Sequence, residues 1–495
     1  MSSFYVENFG CRATQADGAA IEEQFREHGL SRADRPRNAR YVVLNTCAVT
    51  ASAEQDARAA IRRVRRENPG CEVIVTGCYA QRAPHEVASL PGVSVVVGNS
   101  HKNTLAQIAL RAGPEKDGSP QDFVSLSTLT SGQQSFGGSI FISDIFAHTE
   151  LIAAPVFDSA NERTRPNLKV QDGCNNRCSF CIIPSLRGRS RSLKPDEILR
   201  QVNQLVESGY REVVISGINL GRWGRDLDDQ TVWGGRPRPL GLDDSWGDGR
   251  PRPSKFEHMV RAILDHTSIE KLRISSVEPM DWSDSLINLM ANSPRIAKHA
   301  HVPMQSGSDT VLRRMHRKYR PWHYRQKIQM IRAAMPTAAI GADVMVGFPG
   351  ESDFEFEETR RMIAELPLTY LHVFTFSARP GTPAATMPNQ VPLQVARGRN
   401  RILRELAANK KRAFMQQFLG QKIEAITLNI ISESAGGTYT EALTDNYLKM
   451  RLAGRLDANQ WFRADVTDIS DDTLIGIPIG EFSTLREDAT NFCSH

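Results

Sequence analysis

From residue 168 to residue 376 the chain alternates six times between short β-branched runs and longer helix-forming stretches, and this rhythm restricts the fold more than any other feature. Strands are expected at 168–171, 212–216, 271–275, 299–303, 339–346 and 371–376, and helices at 195–208, 256–266, 284–292, 309–315, 321–334 and 355–364. Strands separated by helices run parallel and are covered by those helices. Six such units predict a partial (β/α)6 barrel, whose ligand sites lie at the carboxyl ends of its strands. A shorter series of the same kind comes first, with strands expected at 4–8, 41–45, 72–76 and 93–97 and helices at 13–28, 51–67 and 84–90. It predicts an α/β domain over 1–112 built on a doubly wound parallel sheet.

Other regions are read by where the rhythm fails. Residues 113–165 predict a linker, including SGQQSFGGS at 131–139, although 140–146 is apolar enough to pack. The barrel domain is expected over 166–393, followed by a basic connecting helix at 394–413 with Arg397, Arg399, Arg401 and Arg404 against Glu405. Apolar–polar alternation with turn signals over 414–486 predicts a small β-barrel, with a tail at 487–495. An insertion at 222–255 carries the near-repeats GGRPRP (234–239) and GDGRPRP (247–253) and reads as a surface loop, with RNA contact as the minor alternative.

A net charge of +5 over 495 residues permits a nucleic-acid partner without requiring one. Acidic residues outnumber basic ones over 422–486, so attraction for RNA is expected from the basic helix rather than from the small barrel. The N-terminus has no charged start leading into an apolar run, and no apolar stretch approaches the length that spans a bilayer. The expectation is a cytoplasmic protein with no membrane partner. In a reducing compartment the eight cysteines point to metal or catalysis before disulfides.

Cys174, Cys178 and Cys181 follow the first expected barrel strand in the pattern C-x3-C-x2-C. Structural zinc takes four ligands, usually in pairs, and no fourth stands nearby. Three thiolates on a four-iron cluster leave one iron open for another ligand. Cys11, Cys47 and Cys78 are far apart in sequence, yet each comes just after an expected parallel strand. Parallel strands end on one sheet edge, so these three thiolates are expected to converge on a second such cluster. Cys71 precedes a strand at the opposite edge and Cys493 lies in the tail, so neither is expected to have a cofactor role.

With those residues in place, the chain resembles the methylthiotransferases, a radical S-adenosylmethionine (SAM) family. NFGC (8–11), LNTCAVT (44–50) and TGCYAQ (76–81) resemble the family's N-terminal motifs, and QDGCNNRCSFCIIPSLRGRSRS (171–192) resembles its radical core. SGINLGRWG (216–224), SSVEP (275–279), HVPMQSGSDTVLRRMHRKY (301–319) and GADVMVGFPGE (341–351) resemble later core motifs, and EALTDNYLKMRL (441–452) is similar to the RNA-associated TRAM barrel. The resemblance implies two 4Fe-4S clusters, SAM bound to the open iron of one, and sulfur delivered from the other. It further implies tRNA as substrate, a reductant such as flavodoxin or ferredoxin, and a sulfur donor. The RGRSRS run and the FGCR start look most like the branch that methylthiolates threonylcarbamoyladenosine at tRNA position 37. Alternatives are the isopentenyladenosine branch, a ribosomal-protein aspartate, or a metal-stabilised RNA-binding protein without catalysis.

Candidate SAM contacts are Ser216, Gly217, Asn219, Glu278, Gln305, Ser306 and Gly347, all at or just past the ends of expected strands. For Glu278 a structural pairing with arginine is an equal reading, and the glycines serve a tight turn as readily as a ligand. Arg187, Arg189, Arg191, Arg317, Arg397 and Arg399 are candidate contacts to tRNA phosphates.

Overall fold

A computed structural model describes residues 2–111, 138–148, 151, 165–228, 254–434 and 437–481. Most of the expected linker, both near-repeats of the insertion, and the tail with Cys493 lie outside the described residues. The chain divides into two compact bodies. One gathers residues 1–156 with Asp172–Asn176 and Cys181–Arg191; the other gathers 157–171, Arg177–Phe180 and 192–495.

The first body is built on strands β1 (Ser3–Asn8), β2 (Ser31–Arg32), β3 (Tyr41–Thr46), β4 (Glu72–Gly77), β5 (Val93–Val97) and β6 (Ser139–Phe141). They pair in parallel in the order β2-β1-β3-β4-β5-β6. Alternation along β3 shows why both faces are covered. Val42 and Leu44 enter one apolar core with Ile61 and Val64 of the helix Ala51–Glu67. Tyr41 and Val43 enter another with Ile21 and Phe25 of the helix Arg12–Glu27. Successive strand side chains point to opposite faces, so a fully apolar strand needs helices on both. β6 falls in the stretch expected to be linker: Ser139, Ile140 and Phe141 pair with Val95, Val96 and Val97 and extend the sheet by one strand.

The second body contains β7 (Asn167–Asp172, its last residue in the first body), β8 (Arg191–Ser192, its first likewise), β9 (Glu212–Gly217), β10 (Lys271–Ile274), β11 (His299–His301), β12 (Ala339–Val346) and β13 (Tyr370–Thr375). The order is β10-β9-β7-β8 in one sheet and β11-β12-β13 in the other. Parallel bridges at Leu272–Ile296 and Ser276–His301 join the two sheets, so β7 and β9 to β13 follow chain order, as an open (β/α)6 barrel requires. Helices Pro195–Glu207, Lys255–His266, Asp284–Asn292, Pro321–Ala334 and Asp353–Glu365 cover it. The helix Asp353–Glu365 begins with a capping box between Ser352 and Glu355. Trp223, placed in the insertion by sequence, is buried and its Nε1–H donates to Leu193 O at 3.0 Å. It belongs to the barrel body.

The long helix Leu393–Gln416 leads to a closed barrel of β14 (Lys422–Ser434), β15 (Gly437–Thr444), β16 (Lys449–Ala453), β17 (Trp461–Ser470) and β18 (Thr473–Glu481). Within this body the small barrel grips the foot of the large one. Arg273 of β10 pairs with the buried Glu212 of β9 at 2.6 Å and donates to Asp445 O at 3.0 Å and Thr444 O at 3.4 Å. Lys271 reaches Asp445 at 3.2 Å. Among the described residues no helix is long and apolar enough to cross a membrane.

Candidate active site

In the first body the chain leaves β1 for β2 on one side and returns to β3 on the other. Such a reversal opens a crevice at the carboxyl ends of the two strands, where ligands of open α/β sheets bind. Cys11 stands there as the N-cap of the helix Arg12–Glu27, Cys47 follows β3, and Cys78 follows β4 as the first residue of a short helix. Cys11 is exposed; Cys47 and Cys78 are buried. Burial pushes the Cys47 thiol up to about 11, with Cys78 and Cys11 near enough to add to the rise and Arg187 near enough to oppose it. Gly10 makes room for this: its φ is +104°, and a Cβ there would stand 2.7 Å from Cys47 Cβ and 2.9 Å from its Sγ. The donors are soft thiolates, which suit iron–sulfur clusters. No three His, Cys, Asp or Glu side chains among the described residues are placed to hold one metal ion. A cluster distributes its thiolates over separate irons, and three soft donors at one sheet edge are of the kind that such a group takes.

Beneath the crevice lies a buried charge network. Lys102 Nζ donates to Asp17 at 2.9 Å and to Asn45 Oδ1 at 3.3 Å. Arg187 donates to Asp17 at 3.0 Å and to both oxygens of Asp172 at 3.0 and 2.9 Å. Burial opposes the Arg187 charge, but Asp172 and Asp17 outweigh it and hold the guanidinium protonated. Burial pulls the Lys102 ammonium down from its ordinary value, against Asp17. Asn99 donates to Leu186 O at 2.8 Å and approaches Cys78 Sγ at 3.7 Å. Leu186 and Arg187 belong to the chain just after Cys181, so that segment is anchored into the sheet edge that carries Cys11, Cys47 and Cys78.

Cys174, Cys178 and Cys181 share one loop after β7. Cys174 N–H donates to Gly188 O at 3.1 Å, and its Sγ accepts from Asn176 N–H at 3.4 Å. In the second body Arg317 Nη1 donates to Cys178 Sγ at 3.2 Å, pairs with Glu278, and lies 5.0 Å from the Tyr319 ring centroid. Ser179 donates to Arg314 O at 2.8 Å, fixing the middle of the loop on the barrel.

Several expected contacts sit differently. Arg187, Arg191, Arg317 and Arg399 are buried, not available to phosphates. Arg191 donates to Arg187 O at 2.8 Å and His148 O at 3.1 Å, and Arg399 pairs with Glu351 and Asp353, both at 2.7 Å. In each case carboxylates or carbonyls occupy the guanidinium. Arg189 and Arg397 are exposed. Glu278 pairs with Arg317. Ser306 bonds Thr359 at 3.1 Å and accepts from Ser308 N–H at 3.1 Å, which makes it a loop brace. Gly347 has φ +75°, and a Cβ there would meet Ala396 Cβ at 2.5 Å, so it shapes the loop. Ser216, Gly217, Asn219 and Gln305 remain at the carboxyl ends of β9 and β11. The Ser216 hydroxyl is buried with no hydrogen-bond partner among the described residues. Gly217 lies against Gln171, whose Oε1 accepts from Asn219 N–H at 2.7 Å. Gln305 holds φ +61°, a conformation that costs a non-glycine residue energy and gathers at functional sites.

Residues 3–98 match the model of uncharacterized protein family UPF0004, and 168–363 match the radical SAM superfamily. The threonylcarbamoyladenosine tRNA methylthiotransferase MtaB of Bacillus subtilis is 34% identical over 92% of both chains. The chain belongs to the radical SAM tRNA methylthiotransferases. The MtaB protein of Rickettsia prowazekii is 33% identical over 94% of this chain and 95% of its own. A tRNA-2-methylthio-N(6)-dimethylallyladenosine synthase of Thermobifida fusca is 30% identical over 86% of this chain and 77% of its own. The radical SAM methyltransferase TsrM of Kitasatospora setae, solved with tryptophan and a SAM analogue, shares the fold at TM-score 0.51 and 11% identity, covering 77% of this chain and 74% of its own.

In this methylthiotransferase the sequence reading missed Lys102, Asp17 and Asp172. Lys102 follows β5 at the same sheet edge as the cysteines, so its position after a parallel strand marks it as it marks them. Asp172 ends β7 and carries the same signal, whereas Asp17 carries none, because its partners are remote in sequence.

Proposed function

We propose that this enzyme methylthiolates carbon 2 of N6-threonylcarbamoyladenosine at position 37 of tRNA. One four-iron cluster would be held by Cys174, Cys178 and Cys181 and another by Cys11, Cys47 and Cys78. The observation that carries the two-cluster reading is the convergence of Cys11, Cys47 and Cys78 at the ends of β1, β3 and β4, close enough for their charges to be felt at Cys47. The substrate reading is supported by near-full-length similarity to relatives named for threonylcarbamoyladenosine.

Reductive cleavage of SAM supplies the hydrogen abstraction that an aromatic C–H demands and that no side chain provides. The protein's own part is positional. Arg317 steadies the Cys178 thiolate by a charge-assisted hydrogen bond. Arg187 and Asn99 fix the segment after Cys181 beside Cys78. Ser216 and Asn219 offer polar groups at the strand ends for SAM. Electrons from a flavodoxin- or ferredoxin-type donor and a separate sulfur source complete the cycle, in the cytoplasm.

Anaerobic reconstitution tests this reading. Wild type should bind about eight irons per chain and convert threonylcarbamoyl tRNA to its 2-methylthio form. Cys47→Ala or Cys78→Ala should keep SAM cleavage and lose the methylthio product; Cys178→Ala should lose both. Methylthio product from either of the first two would overturn the two-cluster reading, and conversion of isopentenyl tRNA alone would move the enzyme to the sister branch.

A further inference from the structure

The long helix Leu393–Gln416 differs sharply between its two sides. Inward, Leu403 enters the core of the large barrel, and Phe414 and Met415 enter that of the small one. Outward, Arg397, Arg401, Arg404 and Arg412 are exposed. Successive spacings of four, three and eight residues keep all four on one face of a helix with 3.6 residues per turn. At 1.5 Å per residue the row is about 22 Å long. Among the described residues none of these four side chains makes an ion pair or hydrogen bond, whereas Arg399 on the inner side is held by Glu351 and Asp353. Glu405 follows Arg401 by four residues and makes no ion pair with it. The row also has a direction. At its start, a Cβ on Gly347 past β12 would stand 2.5 Å from Ala396, and Arg399 donates to Glu351 O at 3.0 Å, so Arg397 lies beside the carboxyl ends of the strands. At its end, Lys410 donates to Ala364 O at 2.9 Å and Lys411 to Asp472 O at 3.2 Å, so Arg412 lies at the foot, beside the small barrel. Gly398 stands in the helix interior next to Arg397, and a Cβ there would meet nothing within 4 Å. Glycine weakens a helix interior relative to alanine, and no neighbour among the described residues requires it here.

We propose that this outer face grips phosphates along one strand of the tRNA anticodon arm. The target nucleotide is then presented at the carboxyl ends of the strands, and the stem leads away toward the small barrel. Four unpaired guanidiniums in single file match the linear charge of a polyphosphate backbone, and the planar fork of arginine suits phosphate oxygens. An acidic protein spreads its carboxylates over a patch, so a narrow row fits a nucleic acid better. The charge balance agrees: acidic residues outnumber basic ones over 422–486, and the attraction for RNA must come from outside the small barrel. The missing side chain at Gly398 lets the RNA backbone come close to the helix at the mouth end of the row. The inference rests on the tRNA reading and deepens it by naming the surface that holds the RNA away from the reacting atoms.

The test measures binding of threonylcarbamoyl tRNA to the full-length holoenzyme over a series of salt concentrations. Arg401→Gln combined with Arg404→Gln should raise Kd at least ~10-fold and lower the slope of log K against log salt by about 2, with the melting midpoint near that of wild type. The same charge removed at Arg200 and Arg325, which sit in surface ion pairs on other helices, should leave Kd within ~3-fold of wild type. Gly398→Ala should raise the melting midpoint and still weaken tRNA binding; a raised midpoint with unchanged affinity would overturn the place given to Gly398. Unchanged affinity and slope in the first variant, or equal losses in the second, would overturn the inference while the tRNA reading stands. Slower reduction by flavodoxin with tRNA binding intact would also overturn it, and would give the face to an acidic electron donor. Wild type that binds no tRNA would overturn the tRNA reading and this inference with it.

Discussion

Arg187 shows how single residues divide between what sequence reveals and what it hides. In the sequence it belongs to a run of arginines beside a cysteine loop, and such runs are ordinarily solvated. In the folded chain it is buried between Asp17 and Asp172, a site only the fold could assemble, because Asp17 is 170 residues away. Arg187→Met should therefore destabilise the protein by about 3 kcal/mol, since Asp17 and Asp172 would each lose a buried, oppositely charged partner. Thermal unfolding of the purified variant checks this, and an unchanged midpoint would mean the pair contributes nothing net. The cysteines were legible for the opposite reason: their positions after strands could be read one at a time. Gly10→Ala should displace Cys47 and lower the iron retained by a variant lacking Cys174, Cys178 and Cys181. Cys71→Ser, buried at the other end of β4, should leave that iron content unchanged.

At the scale of elements, periodicity located nearly every long strand and helix and failed at short pieces fixed by tertiary pairing. β6 has three residues and no helix of its own to announce it; it forms because β5 offers an open edge. Strands β9 and β10 carry a second feature that periodicity cannot show, the buried Glu212–Arg273 pair against the small barrel. Burial alone would raise the Glu212 carboxyl, but Arg273 outweighs it and holds the group below the usual carboxylate range. A depressed folded-state value means its stabilisation is complete above the unfolded carboxylate value of about 4.3 and is lost as pH falls through the lower folded value. Glu212→Gln should accordingly lower the melting temperature at neutral pH and flatten the acid side of its pH profile. A variant whose acid profile overlays that of wild type would contradict the assignment. Asp445→Ala, which removes one of the two small-barrel carboxylates paired with Lys271, should loosen the small barrel and speed proteolysis after the helix Leu393–Gln416.

For the whole molecule, the order of architectures was readable because each has its own rhythm: a doubly wound sheet, an open barrel, a basic helix and a small closed barrel. The substrate branch was less readable, because relatives named for threonylcarbamoyl and for dimethylallyl adenosine both align along most of the chain. The central claim, methylthiolation of threonylcarbamoyladenosine in tRNA, is tested most directly by mass spectrometry of nucleosides from tRNA of cells with and without the gene. Loss of 2-methylthio-threonylcarbamoyladenosine, with its unmethylthiolated precursor accumulating and the isopentenyl series untouched, is the predicted result. An unchanged level of that nucleoside would contradict the account.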